Sequence, residues 1–159
     1  MNKIFIAIFL ATASVAHAQD ASYEDTVEYI IERTNFVGRF DGETSRSWVA
    51  FPQRCLLHVE NSVAIQNGQI RHHFRASIPL RELDPTEVST NEAYRWVAVS
   101  VREKRNLVIQ EFLVSDQGSH TIERDNRVSI KTTSNDVTPR VARAFAHLIE
   151  LCGGEKELF

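Results

Sequence analysis

The chain has 159 residues, 43% of them hydrophobic, with 18 basic and 21 acidic side chains and a formal net charge of −3. That is the length of one ordinary domain with enough apolar material for a core. No tail or block is strongly basic, which argues against a nucleic-acid partner.

In chain order, Asn2-Lys3 gives a short cationic start, Ile4 to Leu10 is an unbroken apolar run, and small residues end in Ala16-His17-Ala18. These are the three parts of a secretory signal peptide. The apolar run falls short of the ~20 residues that span a bilayer, and no cysteine follows it closely enough for a lipoprotein. Cleavage after Ala18 leaves a mature domain of residues 19–159 with a net charge of about −4. The expected location is periplasmic or secreted, with no membrane span after cleavage.

Ser22 to Thr34 predicts a helix, with Ser22 and Asp25 as its capping pair and Tyr23, Val27, Ile30, Ile31 and Thr34 as its apolar stripe. The polar run "DGETSRS" breaks the pattern. Strand-like runs follow: "SWVAF", "RCLLHVE", and then "SVAIQ-NG-QIRHHFRASI", where Asn67-Gly68 is a hairpin signal. Pro79 and Pro85 read as breaks. "YRWVAVSV" and "LVIQEFLV" are expected to pair across the charged turn Glu103 to Asn106. "RVSIKT" is a weaker strand after a loop region from Ser115 to Asn126. Thr138, with Pro139 just inside, opens a closing helix. Val141, Phe145, Leu148, Ile149 and Cys152 form its inward stripe, Gly153-Gly154 stops it, and Phe159 can tuck back.

The mature chain holds two cysteines, Cys55 in a strand-like run and Cys152 in the last helical turn. In an oxidising compartment an even count invites a bridge, the alternative being two buried thiols. The order of helix, six to eight strands and closing helix gives an α+β class with an antiparallel sheet system covered at one end. A bent β-barrel with a helical plug would deal with the edges of so many strands.

"EDTVEYI", "IPLRELDPTEV" and "RVARAFAHLIELCGG" with a terminal Phe resemble a group of small exported bacterial proteins, mostly uncharacterised, whose fold is pleckstrin-homology-like. The resemblance covers most of the mature chain as one domain. It implies two near-orthogonal sheets, a barrel or sandwich, with the last helix capping one end and the opening helix as an addition. It implies no enzyme chemistry, and fold alone does not fix function.

Strand alternation puts Ile70, His72, Phe74, Ala76 and Ile78 on one face and Arg71, His73, Arg75 and Ser77 on the other. The adjacent histidines therefore cannot chelate one metal together. His72 is expected to be an interior or rim histidine, and His73 to join Arg71 and Arg75 in an exposed cationic stripe. Arginine supplies 14 of the 18 basic residues, and its planar fork suits paired surface contacts, with an anion site as the sharper reading.

His58, His120 and His147 show no zinc-hydrolase spacing, so no metal or cofactor is implied. There is no G-x-S-x-G elbow. The carboxylate pairs Asp84 with Glu87 and Glu123 with Asp125 are expected in turns. Trp48, Tyr94 and Trp96 could line a groove, with core packing as the plainer reading.

The reading that follows is a non-enzymatic binding module for a protein or peptide, with an acidic partner favoured by Arg71, His73 and Arg75. Two alternatives stand beside it. A small hydrolase needs His72, His58 or His120 against a carboxylate in an open pocket. An apolar-ligand carrier needs an accessible cavity inside the barrel.

Overall fold

The computed structural model describes residues 21–40, 43–65, 70–114 and 119–153. The expected signal peptide, the Asn67-Gly68 turn, Gly154 and Phe159 lie outside the described residues, as do the side chains of Arg71 and His120.

The first helix, α1 (Tyr23–Thr34), begins with the expected capping box: Ser22 Oγ accepts from the Asp25 N–H at 3.1 Å, and the Ser22 N–H donates to Asp25 Oδ2 at 3.3 Å. Its buried line is Thr26, Ile30 and Thr34, with Tyr23, Val27 and Ile31 half-buried beside it. The threonines are tolerated there because each hydroxyl donates to the carbonyl one turn back, Thr26 to Ser22 and Thr34 to Ile30. The helix ends at Asn35, whose side chain bonds both the N–H and the C=O of Val49.

Nine strands follow, named β1 (Phe36–Phe40), β2 (Glu43–Gln53), β3 (Leu56–Ala64), β4 (Ile70–Pro79), β5 (Leu83–Asn91), β6 (Trp96–Val101), β7 (Val108–Val114), β8 (Ser119–Asp125) and β9 (Arg127–Lys131). All neighbouring strands are antiparallel, and they form two separate sheets rather than a closed barrel. One has the order β1-β2-β3-β4-β7-β8, the other β5-β6-β9. The barrel expectation is therefore corrected to two open sheets.

The expected pairing of "YRWVAVSV" with "LVIQEFLV" is also corrected. Between them Glu103 and Lys104 take left-handed φ values of 54° and 52°, and the chain turns out of one sheet into the other instead of folding back as a hairpin. Two more corners, the 3-10 turn Leu80–Glu82 and Asn126, carry the chain across as well.

The strands missing from the sequence reading have physical reasons for their silence. β8 replaces most of the expected 115–126 loop. Its one bulky apolar residue, Ile122, points to solvent, and the strand lies on a sheet edge, so it carries no alternation signal. β5 contains Pro85, which is tolerated because β5 is an edge strand whose register slips between Leu83 and Val88. Asp84 caps that irregularity, accepting from the Thr86 N–H at 2.8 Å and the Thr86 hydroxyl at 2.7 Å. Burial works to raise the Asp84 pKa, but these hydrogen bonds and the Arg102 charge outweigh it and hold the carboxyl below its ordinary value. Glu123 and Asp125, expected in a turn, lie in β8.

One core fills the space between the inner face of the six-stranded sheet, the three-stranded sheet and the closing helix α2 (Thr138–Leu151). Val49, Leu57, Val59 and Ile78 come from the first, Val97, Val99, Val128 and Ile130 from the second, and Val141, Phe145, Leu148 and Ile149 from the helix. α2 lies chiefly against β5 and β6, and α1 against α2 and β2. Gly153, at φ 84°, supplies the left-handed stop after α2.

Cys55 and Cys152 form a disulfide with a Cα–Cα distance of 5.6 Å across a sequence separation of 97. Closing a loop of that length restricts the unfolded chain by about 4–5 kcal/mol. Cys55 itself sits at φ 62° in the turn between β2 and β3. Replacing both cysteines by alanine should therefore lower the unfolding free energy by about 4 kcal/mol in urea titrations. The Cys55→Gly, Cys152→Ala pair should recover about 1 kcal/mol of that, because glycine takes the left-handed turn without strain. Equal stability of the two double variants would contradict a strained Cys55.

Candidate functional site

The inner face of the six-stranded sheet is consumed by the core, so its outer face is where chemistry can be displayed. Register fixes what lies there. Arg46 faces Ser62, which faces His73; one step along, Trp48 faces Glu60, which faces Arg75, which faces Glu111. The next step sets Ala50, His58, Ser77 and Ile109 in line. Within the Trp48 row, Glu60 and Arg75 are opposite charges on neighbouring strands, the arrangement that cross-strand pairing favours.

Glu60 is the centre of this surface. Its Oε1 lies 2.9 Å from His73 Nε2, and its Oε2 lies 3.6 Å from Arg75 Nε and 3.9 Å from His58 Nε2. The other ring nitrogen of His58, Nδ1, is 2.8 Å from Ser77 Oγ. His73 and Arg75 are thus engaged by a carboxylate, and the expected stripe is a charge-paired strip rather than a bare cationic one.

The histidine assignments change in an instructive way. His72, expected to be an interior or rim histidine, is exposed at the rim, because the core face of β4 ends near Phe74 and the strand runs on past it. His73, expected exposed, keeps only 15% of its side chain accessible beside Glu60. His147 lies elsewhere, with Nε2 at 2.8 Å from the Ala21 carbonyl.

Beside Glu60 lies an open groove of about 540 Å³, lined among others by Val37, Arg46, Trp48, Ile70 and His73. Trp48 is 58% exposed, on a strand whose other face carries core Val49, and Val37 is 66% exposed on β1 beside it. The three aromatic candidates do not meet. Tyr94 sits in the turn between β5 and β6, while Trp96 lines a separate cleft with Lys131 Nζ 5.9 Å from its ring centre. Among the described residues no three of His, Cys, Asp and Glu are placed to hold a metal ion, and no helix is long and apolar enough to cross a membrane.

Chemically, Glu60 with His73 meets the geometric condition for a histidine–carboxylate pair in an open groove. Ser77 adds a hydroxyl on His58. Acyl transfer also needs donors aimed at a developing oxyanion. Over His73–Ser77, β4 is paired with β3 on one side and β7 on the other, so its main-chain N–H groups there are taken up by the ladders, and the donors on this face are side chains such as Arg46 and Arg75.

Glu60 and Asn35 are the residues that sequence reasoning missed. Glu60 shares a face with His58 by simple alternation in "LLHVE", but its meeting with His73 depends on a register that spans the turn. Comparison of the chain with protein-family models, curated proteins and solved structures finds no match.

Asn35 lines the groove and fixes β2 to the end of α1. Its replacement by alanine strands both main-chain groups of buried Val49 and should cost about 2 kcal/mol in chemical denaturation. A loss below a few tenths would show that the clamp contributes little.

Proposed function

We propose that the protein is a non-enzymatic binding module for a protein or peptide partner, acting in the periplasm or outside the cell. The observation that carries this reading is the outer-face groove. Antiparallel sheets with one solvated face normally turn polar residues outward, yet Val37, Trp48, Ile109 and Ile122 are all more than half exposed on this one. Bulky apolar side chains displayed beside charged ones are the ordinary composition of a docking surface.

The partner segment that fits is acidic with an apolar anchor. Arg46, His73 and Glu60 line the groove and Arg75 pairs with Glu60, so two arginines stand beside that one carboxylate. β1 is an edge strand and contributes Val37 to the groove, so an extended segment can add to the sheet there and drop an anchor over Trp48. The closing helix does not line this groove, since α2 packs chiefly on β5 and β6.

The disulfide supports an oxidising compartment, and the pleckstrin-homology-like reading is supported by two antiparallel sheets with a closing helix. A hydrolase built on Ser77, His58 and Glu60 is disfavoured because Glu60 lies 3.9 Å from His58 Nε2, beyond hydrogen-bond distance, while its short contact goes to His73. An apolar-ligand carrier is disfavoured because the cleft that opens between the sheets is lined with Asn61, Gln110, Asp125 and Arg127.

Immobilised mature protein should capture its partner from an envelope extract. Trp48→Ala and Arg46→Glu should each reduce that capture at least tenfold while the thermal midpoint stays within about 2 °C of the parent, both being surface changes. Undiminished capture by both variants would sink the groove as the binding surface.

A further inference from the structure

Glu60 is approached by two histidines, one on its own strand and one on the next. His73 Nε2 on β4 lies 2.9 Å from Glu60 Oε1, and His58 Nε2 on β3 lies 3.9 Å from Glu60 Oε2. Both rings stay partly accessible, and His73 lines the groove together with Glu60. Histidine is the side chain whose ordinary charge change falls between pH 5 and 8, while arginine and glutamate keep their charges there. The surface around Glu60 thus combines fixed charges with two groups that respond to protons.

The charged surroundings come from four strands. β2 supplies Arg46, in the His73 row across Ser62. β3 supplies Glu60 itself. β4 supplies Arg75, whose Nε lies 3.6 Å from Glu60 Oε2, and places Arg71 in the bulge between the Val63–His72 and Ala64–Ile70 pairs. β7 sets Glu111 opposite Arg75 in register.

The two protonation states share one geometry. A neutral imidazole has one ring N–H and one acceptor nitrogen. With the His58 N–H on Nε2 toward Glu60, Nδ1 accepts from the Ser77 hydroxyl at 2.8 Å. Protonation turns Nδ1 into a donor, and a hydroxyl rotates to accept instead. His73 Nε2 donates to Glu60 whether its ring is neutral or charged. Protons therefore add positive charge without moving a strand, on a face where Arg46 and Arg75 already flank Glu60.

We propose that docking in this groove is proton-regulated: an acidic segment binds more tightly as pH falls from 8 to 5.5, with His73 and His58 taking up the protons. This rests on reading the groove as a docking surface for an acidic segment. The sign follows from linkage. A ligand that prefers the protonated rings draws protons onto them, so its affinity rises as pH falls. Carboxylates on the ligand lose charge in the same direction, which works against that rise, so a rise reports the protein.

The test uses the unmodified mature protein and a synthetic peptide, Glu-Glu-Leu-Glu-Leu-Glu, with its glutamine counterpart as comparator. Binding is followed by NMR at the Trp48 indole N–H at pH 8 and 5.5 in low salt, where surface charges are least screened. The acidic peptide should bind at least fivefold more tightly at pH 5.5, and the glutamine peptide should show no such rise. Saturating acidic peptide should also move the titration midpoints of the His58 and His73 ring protons to higher pH. The double variant His73→Gln, His58→Asn keeps an amide near each bonded nitrogen but takes up no proton, and should lose the rise. A rise below fivefold, an equal rise with the glutamine peptide, histidine midpoints that the acidic peptide leaves in place, or a rise retained in the double variant would each overturn the regulation and leave the docking surface standing. No shift at Trp48 with either peptide at either pH would overturn both.

Discussion

Both helices are tied to one turn. Cys55, in the turn between β2 and β3, is bonded to Cys152 at the end of α2, and its N–H donates to the Tyr23 hydroxyl at the start of α1 at 3.0 Å. Arg54, next in the turn, lies 4.5 Å from the centre of the Tyr23 ring and pairs with Glu24 at 3.3 Å. The exposed ion pair contributes little by itself; the covalent link is the strong member of the set. It holds α2 and α1 at the inner side of the six-stranded sheet, and that placement leaves the outer face bare. The groove around Trp48 and Glu60 stays open because none of the described elements is positioned over it.

The same constraint accounts for where polarity is tolerated. Charges on the outer face meet one another across strands in water, where Glu60 can serve His73 and Arg75 without a large desolvation penalty. Buried polar groups are instead tied to the main chain or to each other. The Thr132 and Thr138 hydroxyls lie 2.7 Å apart, and Thr138 also donates to the Ser134 carbonyl at 3.0 Å, closing the loop that leads into α2. Asn35 does the same at the other side of the core by completing Val49. Against that pattern of satisfied groups, Ser47 and Asn61 stand apart.

Features written in local chemistry were legible in the sequence. The capping box of α1, the span and stop of α2, the pairing of Cys55 with Cys152 and the alternation of "QIRHHFRASI" each depend on residues a few positions apart or on a count of two. What required the fold was anything set by distance along the chain. β6 and β7 look like a hairpin because both are apolar and a charged turn joins them, yet Glu103 and Lys104 turn the chain to the other sheet. β8 and the polar half of β2 carry no apolar alternation because their faces are not both used. Whether His72 is interior or at the rim was open for a related reason: a period of two tells which face a residue takes but not where the opposing layer stops.

The end of the core layer shapes both faces of the sheet. Glu60 and Asn61 are consecutive on β3, so the pleat sends one to each face. The sheet is a single chain thick there, and the Glu60 cluster on one face and the Ser47–Asn61 pair on the other both lie just past the layer where Val49, Val59 and Ala76 meet the core. Within that layer, burial fixes the register, since a slip of one residue would exchange valines for charges. Past it, the inner residues are no longer required to be apolar, and Ser47 and Asn61 appear. The strands extend beyond what the core needs, and the surplus length is where side chains are free to answer to something other than folding.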